Sequence, residues 1–452
     1  MSLGACRLKR RILAVVVVVW AGVSLVSCGS SPRKGGPSGL PERVLVSQGV
    51  TAAQTFGGLV IVNGQYDTVA RAPELSAGSS PRLMAISPTR NIAAAFDVSS
   101  NSVYAVDTTK ESNLGHVQLP GPTSSMVIPT ANTLGYAAVP TAFVNGYSFV
   151  GAVEEMDLSA GAIITTIAVT NAQTVVSNST GTELLVFSND SDSMTVLFPD
   201  VAVPPVDTSC LTNPPNAVCT IVQDPRLSRP VYAVITGGTA YILNCGFQCG
   251  GSEQASVAVF DMGSLTITNA IPVNGATYAL LEGSTLYVAG KGTPTGPLCS
   301  SIPSSNETAA TYCGTLDIVD LTTMTDPYYN NPSVELAITD GYHDRMDMSV
   351  NGQLFIGSYD CTNIGNINNP SGEVRGCLSI YNTMTNKVII PPDNGDVGGL
   401  QSFTTRYVEY VAEGGNLRVY DTLFDYLLYN DLVSGTIPVV GYVGDAKAID
   451  FF

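Results

Sequence analysis

From residue 43 onward the chain alternates apolar and polar positions in short runs, broken repeatedly by Gly, Pro, Asn, Asp and Ser. A period of two is the signature of β-strands, and the breakers mark turns. One kind of run recurs: alternating apolar residues that stop on Asp or Asn. It ends at Asn63, Asp107, Asp157, Asp261, Asp320, Asn382 and Asp421, with a weaker copy, MTVLFPD, ending at Asp200. The alternation predicts a half-buried strand, and the terminal side chain can bond the backbone of the following turn. The fullest unit, 83–120, reads as four strands: A (83–88), B (91–96), C (102–107) and D (115–119). The B strands form a second count, starting near Arg43, Asn91, Thr133, Glu183, Thr239, Thr285, Gln353 and Tyr407. Both counts give eight units of about 51 residues, the size of a propeller blade. The first unit lacks strand A, and residues 446–452 read as an A strand without a unit. Pairing 446–452 with 43–48 would close a ring and remove the open sheet edge. The predicted fold is therefore an all-β propeller of four-stranded antiparallel blades. Eight blades are favoured; seven is the alternative, because the units around 172–228 and 398–445 are irregular.

The segment SPRLMAISPTRNIAAAFDVSSNSVYAVDTTKESNLGHVQL resembles the YVTN-type β-propeller repeat of bacterial and archaeal surface proteins. The resemblance is strong over 79–120 and loose over most of the remainder. Ala94-Ala95-Phe96-Asp97 stands near the place of the tetrapeptide that names the repeat. It implies a blade and no catalytic residue, so it carries fold and not activity.

The N-terminus changes the picture from fold to location. Arg7, Lys9, Arg10 and Arg11 precede an apolar run that begins at Ile12 and carries on with interruptions to Val26. That is a signal-peptide pattern, too short for a membrane span. Leu25-Val26-Ser27-Cys28 resembles a bacterial lipobox, which implies cleavage before Cys28 and acylation of that residue. Gly29, in place of an Asp, implies sorting to the outer membrane. The predicted organisation is a signal peptide (1–27), a lipidated Gly/Pro/Ser-rich tether (28–42) and a propeller (43–452). Cleavage removes four basic residues and no acidic one, so 20 basic against 37 acidic becomes 16 against 37, net −21. A chain this acidic is not expected to bind nucleic acid.

Of ten cysteines, Cys6 lies in the signal and Cys28 is the expected lipid site. The other eight fall in local pairs, and export favours disulfides Cys210–Cys219, Cys245–Cys249, Cys299–Cys313 and Cys361–Cys377. A zinc site built on Cys245 and Cys249 is the rival, disfavoured because no His is near. No cofactor is expected. The sole Trp, Trp20, lies in the signal, against the Trp-dependent docking of quinone propellers. Candidate chemistry reduces to Tyr342-His343-Asp344-Arg345 at the predicted channel rim, where His343 beside Asp344 would be a base oriented by a carboxylate. A surface turn followed by a channel-lining charge pair is the plainer reading. Asp190 and Asp192 can be read as calcium ligands or as turn formers, and the turn is favoured. His116 falls inside a D strand, and Asn306-Glu307-Thr308 forms a sequon of little weight in such a chain.

Loop length is the remaining asymmetry. The B–C connections of units five, six and seven, roughly 244–256, 291–315 and 359–377, are long, and each holds one predicted disulfide. Long loops in a compact fold usually carry function. These features predict a non-catalytic, membrane-anchored module that binds a protein or glycan through its loop face. A lactonase-like hydrolytic propeller and a structural envelope component are the alternatives.

Overall fold

Each repeat folds into an antiparallel meander in the A-B-C-D order of the sequence. The computed structural model describes residues 36–451, apart from 73, 145–149, 189, 200–203, 213, 292–312, 332–333, 335, 362–376, 392–394 and 428–434. Eight sheets are present, and the innermost strand of each packs against the innermost strand of the next around a closed circle. These inner strands are Tyr442–Ala448 (blade 1), Pro81–Ile86, Ser125–Val127, Thr174–Ser177, Pro230–Thr236, Tyr278–Glu282, Tyr342–Met348 and Val397–Ser402 (blade 8). The B strands start within one residue of their predicted positions.

The ring closes as predicted. Blade 1 takes its A strand from the C-terminus, where Val44 faces Ala448 and Gly49 faces Tyr442 in antiparallel register. The closing strand begins four residues earlier than the predicted 446 and ends at Ala448. Beyond it Asp450 enters a buried ion cluster that the sequence did not signal. Arg43 donates from Nε and Nη2 to Asp450 at 2.9 and 2.7 Å, and from Nη1 to Glu111 at 2.7 Å and the Thr108 carbonyl at 2.8 Å. One guanidinium thus ties both chain ends to blade 2.

Two irregular units are explained by extra chain. In blade 4 the connection before strand D (Cys219–Gln223) sends Val206–Asp207 to pair in parallel with strand D of blade 3, and carries the short helix Ser209–Thr212. In blade 8 the D position is divided between Tyr426–Leu427 and Thr436–Ile437, both paired with strand C. Strand C of blade 4 stops at Leu197, and the predicted end, Asp200, lies outside the described residues.

The half-buried C strands expected from alternation are instead buried on both faces, because each sheet is covered by a blade on either side. Polar residues on the second face are then enclosed too. Glu154 is fully buried, with Oε2 accepting from Thr166 at 2.6 Å, and burial pushes its carboxyl up to about 7 despite that bond.

The terminal Asp or Asn does what its position predicts. In seven blades it caps a C–D turn whose fifth residue has positive φ: Asp67, Glu111, Gly161, Leu265, Met324, Asn386 and Asp425. Asp157 accepts from the Ser159 and Ala160 amides, and Asn382 from those of Met384 and Thr385. His116 lies in an exposed D strand and stacks on Tyr104, as an outer structural residue would.

Candidate functional site

The inner strands enclose a cavity of about 460 Å³ that opens on the face of the B–C and D–A connections. It is lined along most of the inner strands of blades 3, 4 and 5, and by the first residues of those of blades 6 and 7. Five of the eight inner strands carry a β-bulge close to where they begin. In blade 7 His343 pairs with Ser358 and Arg345 with Gly357, so Asp344 is the extra residue. A bulge re-aims side chains, and here it lets the consecutive residues Asp344 and Arg345 both line the cavity.

The predicted His343–Asp344 base is not assembled. Strand alternation turns His343 away from the cavity, where it is fully buried, and its ring comes so close to Gly314 that a Cβ there would lie 2.6 Å from it. Burial lowers its pKa to about 4, so it is held neutral inside the blade.

The surface turn of the plainer reading is instead the strand Tyr342–Met348, along which Asp344 and Arg345 pair and line the channel. Arg345 Nη1 donates to the Asp344 carbonyl at 2.8 Å and to its carboxylate at 2.9 Å, and Nε donates to the Gly398 carbonyl at 3.0 Å. Gly398 itself has no room for a side chain, since a Cβ there would lie 2.0 Å from the Gly444 carbonyl oxygen. Burial opposes the charge of Arg345, but Asp344 and Asp445 outweigh it and keep the guanidinium charged above its usual range. Burial also raises Asp344, partly offset by Arg345. Asp445 accepts from the Met84 amide at 2.9 Å, and Lys447 stands 3.5 Å from it.

One wall of the cavity is aromatic. Tyr232 and Tyr278 stack with centroids 4.4 Å apart and hydroxyls at 3.4 Å, and Tyr342 lies 5.3 Å from Tyr359. Burial raises Tyr232 and, with the Asp344 carboxylate, pushes Tyr359 up to about 12, so these phenols remain protonated donors. Blades 3 and 4 add small polar groups beside the apolar Met126, Val127 and Val176, with Gln173 donating to Ser124 at 2.9 Å and Ser125 accepting from the Val175 amide at 2.9 Å. The tyrosines come from blades 5, 6 and 7, the blades with the long loops. Only Tyr342 lay in a stretch that the sequence singled out; the four are 17 to 127 residues apart and converge when neighbouring blades pack.

The disulfides Cys210–Cys219, Cys245–Cys249 and Cys361–Cys377 are formed. Cys313 is disulfide-bonded, and Cys299 lies outside the described residues, as do Cys28 and the sequon. Cys245–Cys249 closes a 3₁₀ turn, Gly246–Cys249, in the B–C connection of blade 5. Asp190 accepts from Asn171 at 2.7 Å and Asp192 from the Arg229 amide at 2.9 Å, so both are engaged with protein donors in the turn. Among the described residues no group of three or more His, Cys, Asp or Glu is placed to hold a metal.

No family model and no curated protein matches the chain. Solved structures match its fold. Dihydro-heme d1 dehydrogenase NirN is 10% identical, with a TM-score of 0.59 over 94% of this chain and 78% of that one. Hydrazine synthase from Kuenenia stuttgartiensis is 14% identical, with a TM-score of 0.52 over 76% and 96%. The computationally designed Ika8 protein is 8% identical, with a TM-score of 0.53 over 84% and 96%. A designed protein and two of metabolic name share one architecture, so the similarity is one of fold.

Proposed function

We propose that this protein is an exported, lipid-anchored β-propeller that binds a glycan at the cavity mouth of its long-loop face and does not transform it. The observation that carries this reading is the lining itself. Two tyrosine pairs present phenol rings and hydroxyls, the Arg345–Asp344 pair offers charged donors and acceptors, and Ser124, Ser125 and Gln173 supply small polar groups from blades 3 and 4. Stacking rings with convergent hydrogen-bonding groups suit a polyhydroxylated ligand, and the volume falls within the roughly 300–1,000 Å³ of small-ligand sites. The lipobox at Cys28 and the local disulfides support export. With His343 sealed inside blade 7, the hydrolytic alternative loses its candidate base.

Titration of envelope oligosaccharides against the intact protein tests the reading. Tyr359→Ala, at the partly exposed edge of the cavity, should abolish binding while leaving the melting temperature almost unchanged. Equal binding by wild type and Tyr359→Ala would move the ligand elsewhere, and turnover of a sugar by the wild type would make the protein an enzyme.

A further inference from the structure

The face opposite the cavity is built from A–B and C–D turns, and its C–D turns permit a controlled comparison. In each of seven blades the second and third residues after the capping Asp or Asn form an exposed tip of the same backbone shape. Blades 2, 3, 5 and 6 place Thr109-Lys110, Ser159-Ala160, Gly263-Ser264 and Thr322-Thr323 there. Blades 7, 8 and 1, consecutive around the ring, place Met384, Leu423-Phe424 and Tyr66 there, exposed by 81%, 51%, 64% and 67%. The A–B turns of blades 7 and 8 add Val350 and Tyr407, also exposed. Folding does not require these residues, because small and polar residues serve the same turn in four other blades. Of the eight C-strand termini, the two that are Asn rather than Asp, Asn382 and Asn63, belong to blades 7 and 1. In the same sector Asp67 is neutralised by an ion pair with Arg406 and Asp425 is buried. Apolar groups gathered on an exposed surface mark an interaction site.

The chain itself indicates the occupant. Ser38 is pinned to this face, donating to Glu111 from its amide at 2.7 Å and from its hydroxyl at 2.6 Å. Cys28 is ten residues away, and ten residues of any chain span at most about 35 Å. Lipid on Cys28 therefore leashes the chain to the membrane from this face, with the cavity face farther from the point of attachment.

The geometry points to the turn face of blades 7, 8 and 1 as a surface that rests on a lipid bilayer and holds the cavity face away from it. This rests on the lipid anchor of the proposed function. The tips supply a second, weak membrane contact beside the acyl chains, as Tyr and Phe side chains do at a membrane interface. Burial of Asp425 and pairing of Asp67 with Arg406 limit repulsion from anionic headgroups.

Cleavage before Cys28 removes Trp20 and leaves no tryptophan, so an introduced Trp reports alone. The full lipidated chain carrying Phe424→Trp is reconstituted in phosphatidylethanolamine–phosphatidylglycerol vesicles with brominated acyl chains. Ser264→Trp, the equivalent tip across the ring, is the reference. Bromine should quench most of the Phe424→Trp emission and little of the Ser264→Trp emission. Adding Tyr66→Ser, Met384→Thr and Leu423→Thr should restore the Phe424→Trp emission while the protein still sediments with vesicles. Sedimentation with both reporters unquenched would keep the anchor and overturn the docking. Failure to sediment would remove the anchor and the docking with it. A Phe424→Trp reporter shielded from acrylamide but untouched by brominated lipid would assign the face to a protein and overturn the proposal.

Discussion

The two faces of the ring solve the same connection problem in opposite ways. On the turn face, seven C–D connections repeat one capped turn, and the blades differ there mainly in which side chains they display. On the cavity face the B–C connections range from the tight Ser99–Asn101 turn to stretches of more than a dozen residues, and two of the long ones carry disulfides that are formed. A short turn is fixed by its own backbone hydrogen bonds. A long loop has no such internal limit and gains order from a covalent link. Apart from the long C–D connection of blade 4, stapled by Cys210–Cys219, the turn face is therefore the constant frame, and the cavity face is the part free to vary around a site.

The largest effect should come from breaking the frame where the chain ends meet. Arg43→Ala leaves the buried Glu111 and Asp450 carboxylates without their guanidinium, and breaking a buried pair in this way costs about 3–5 kcal/mol. Thermal melting should show a large loss of stability. A melting temperature close to wild type would mean that strand pairing alone holds the closure.

A smaller effect should follow from Glu154, buried between blades. Its folded pKa, about 7, lies above the ordinary 4.5. The folded state thus binds the extra proton, and stability falls as pH rises from about 4.5 to 7. Glu154→Gln removes the penalty: it should be near neutral at pH 4 and stabilising by on the order of 2–3 kcal/mol at pH 8. Urea unfolding at the two pH values measures it, and an equal effect at both would refute the assignment. His343, held neutral with its pKa lowered to about 4, acts with the opposite sign. It lowers stability as pH falls from about 6.5 towards 4, so the Glu154 comparison is read as a difference from wild type at each pH.

The smallest effect belongs to the staples. Each closes a short loop, so each should contribute about 2–3 kcal/mol or less. Mild reduction should speed hydrogen exchange around 245–255 on the cavity face and leave the Asx-capped turns of the opposite face unchanged. Loss of protection on both faces together would show that the two are not separable.

The sequence by itself determined the repeat, the blade count within one, the strand order, the positions of the B strands and the three described local disulfides. All of these are encoded within a few residues: a period of two, an Asx-capped turn, cysteines close along the chain. Only the tertiary structure decided what depends on ring closure. It covered both faces of the C strands, which buried Glu154, and it brought Arg43 to Asp450 across 407 residues. It placed a bulge at Asp344 that turns Arg345 into the cavity and leaves His343 behind it. It also converged tyrosines from three blades on one wall. No local pattern specifies these contacts, because they depend on how one strand or blade packs on its neighbour, and the Arg43–Asp450 contact also needs the eighth blade to stand beside the first.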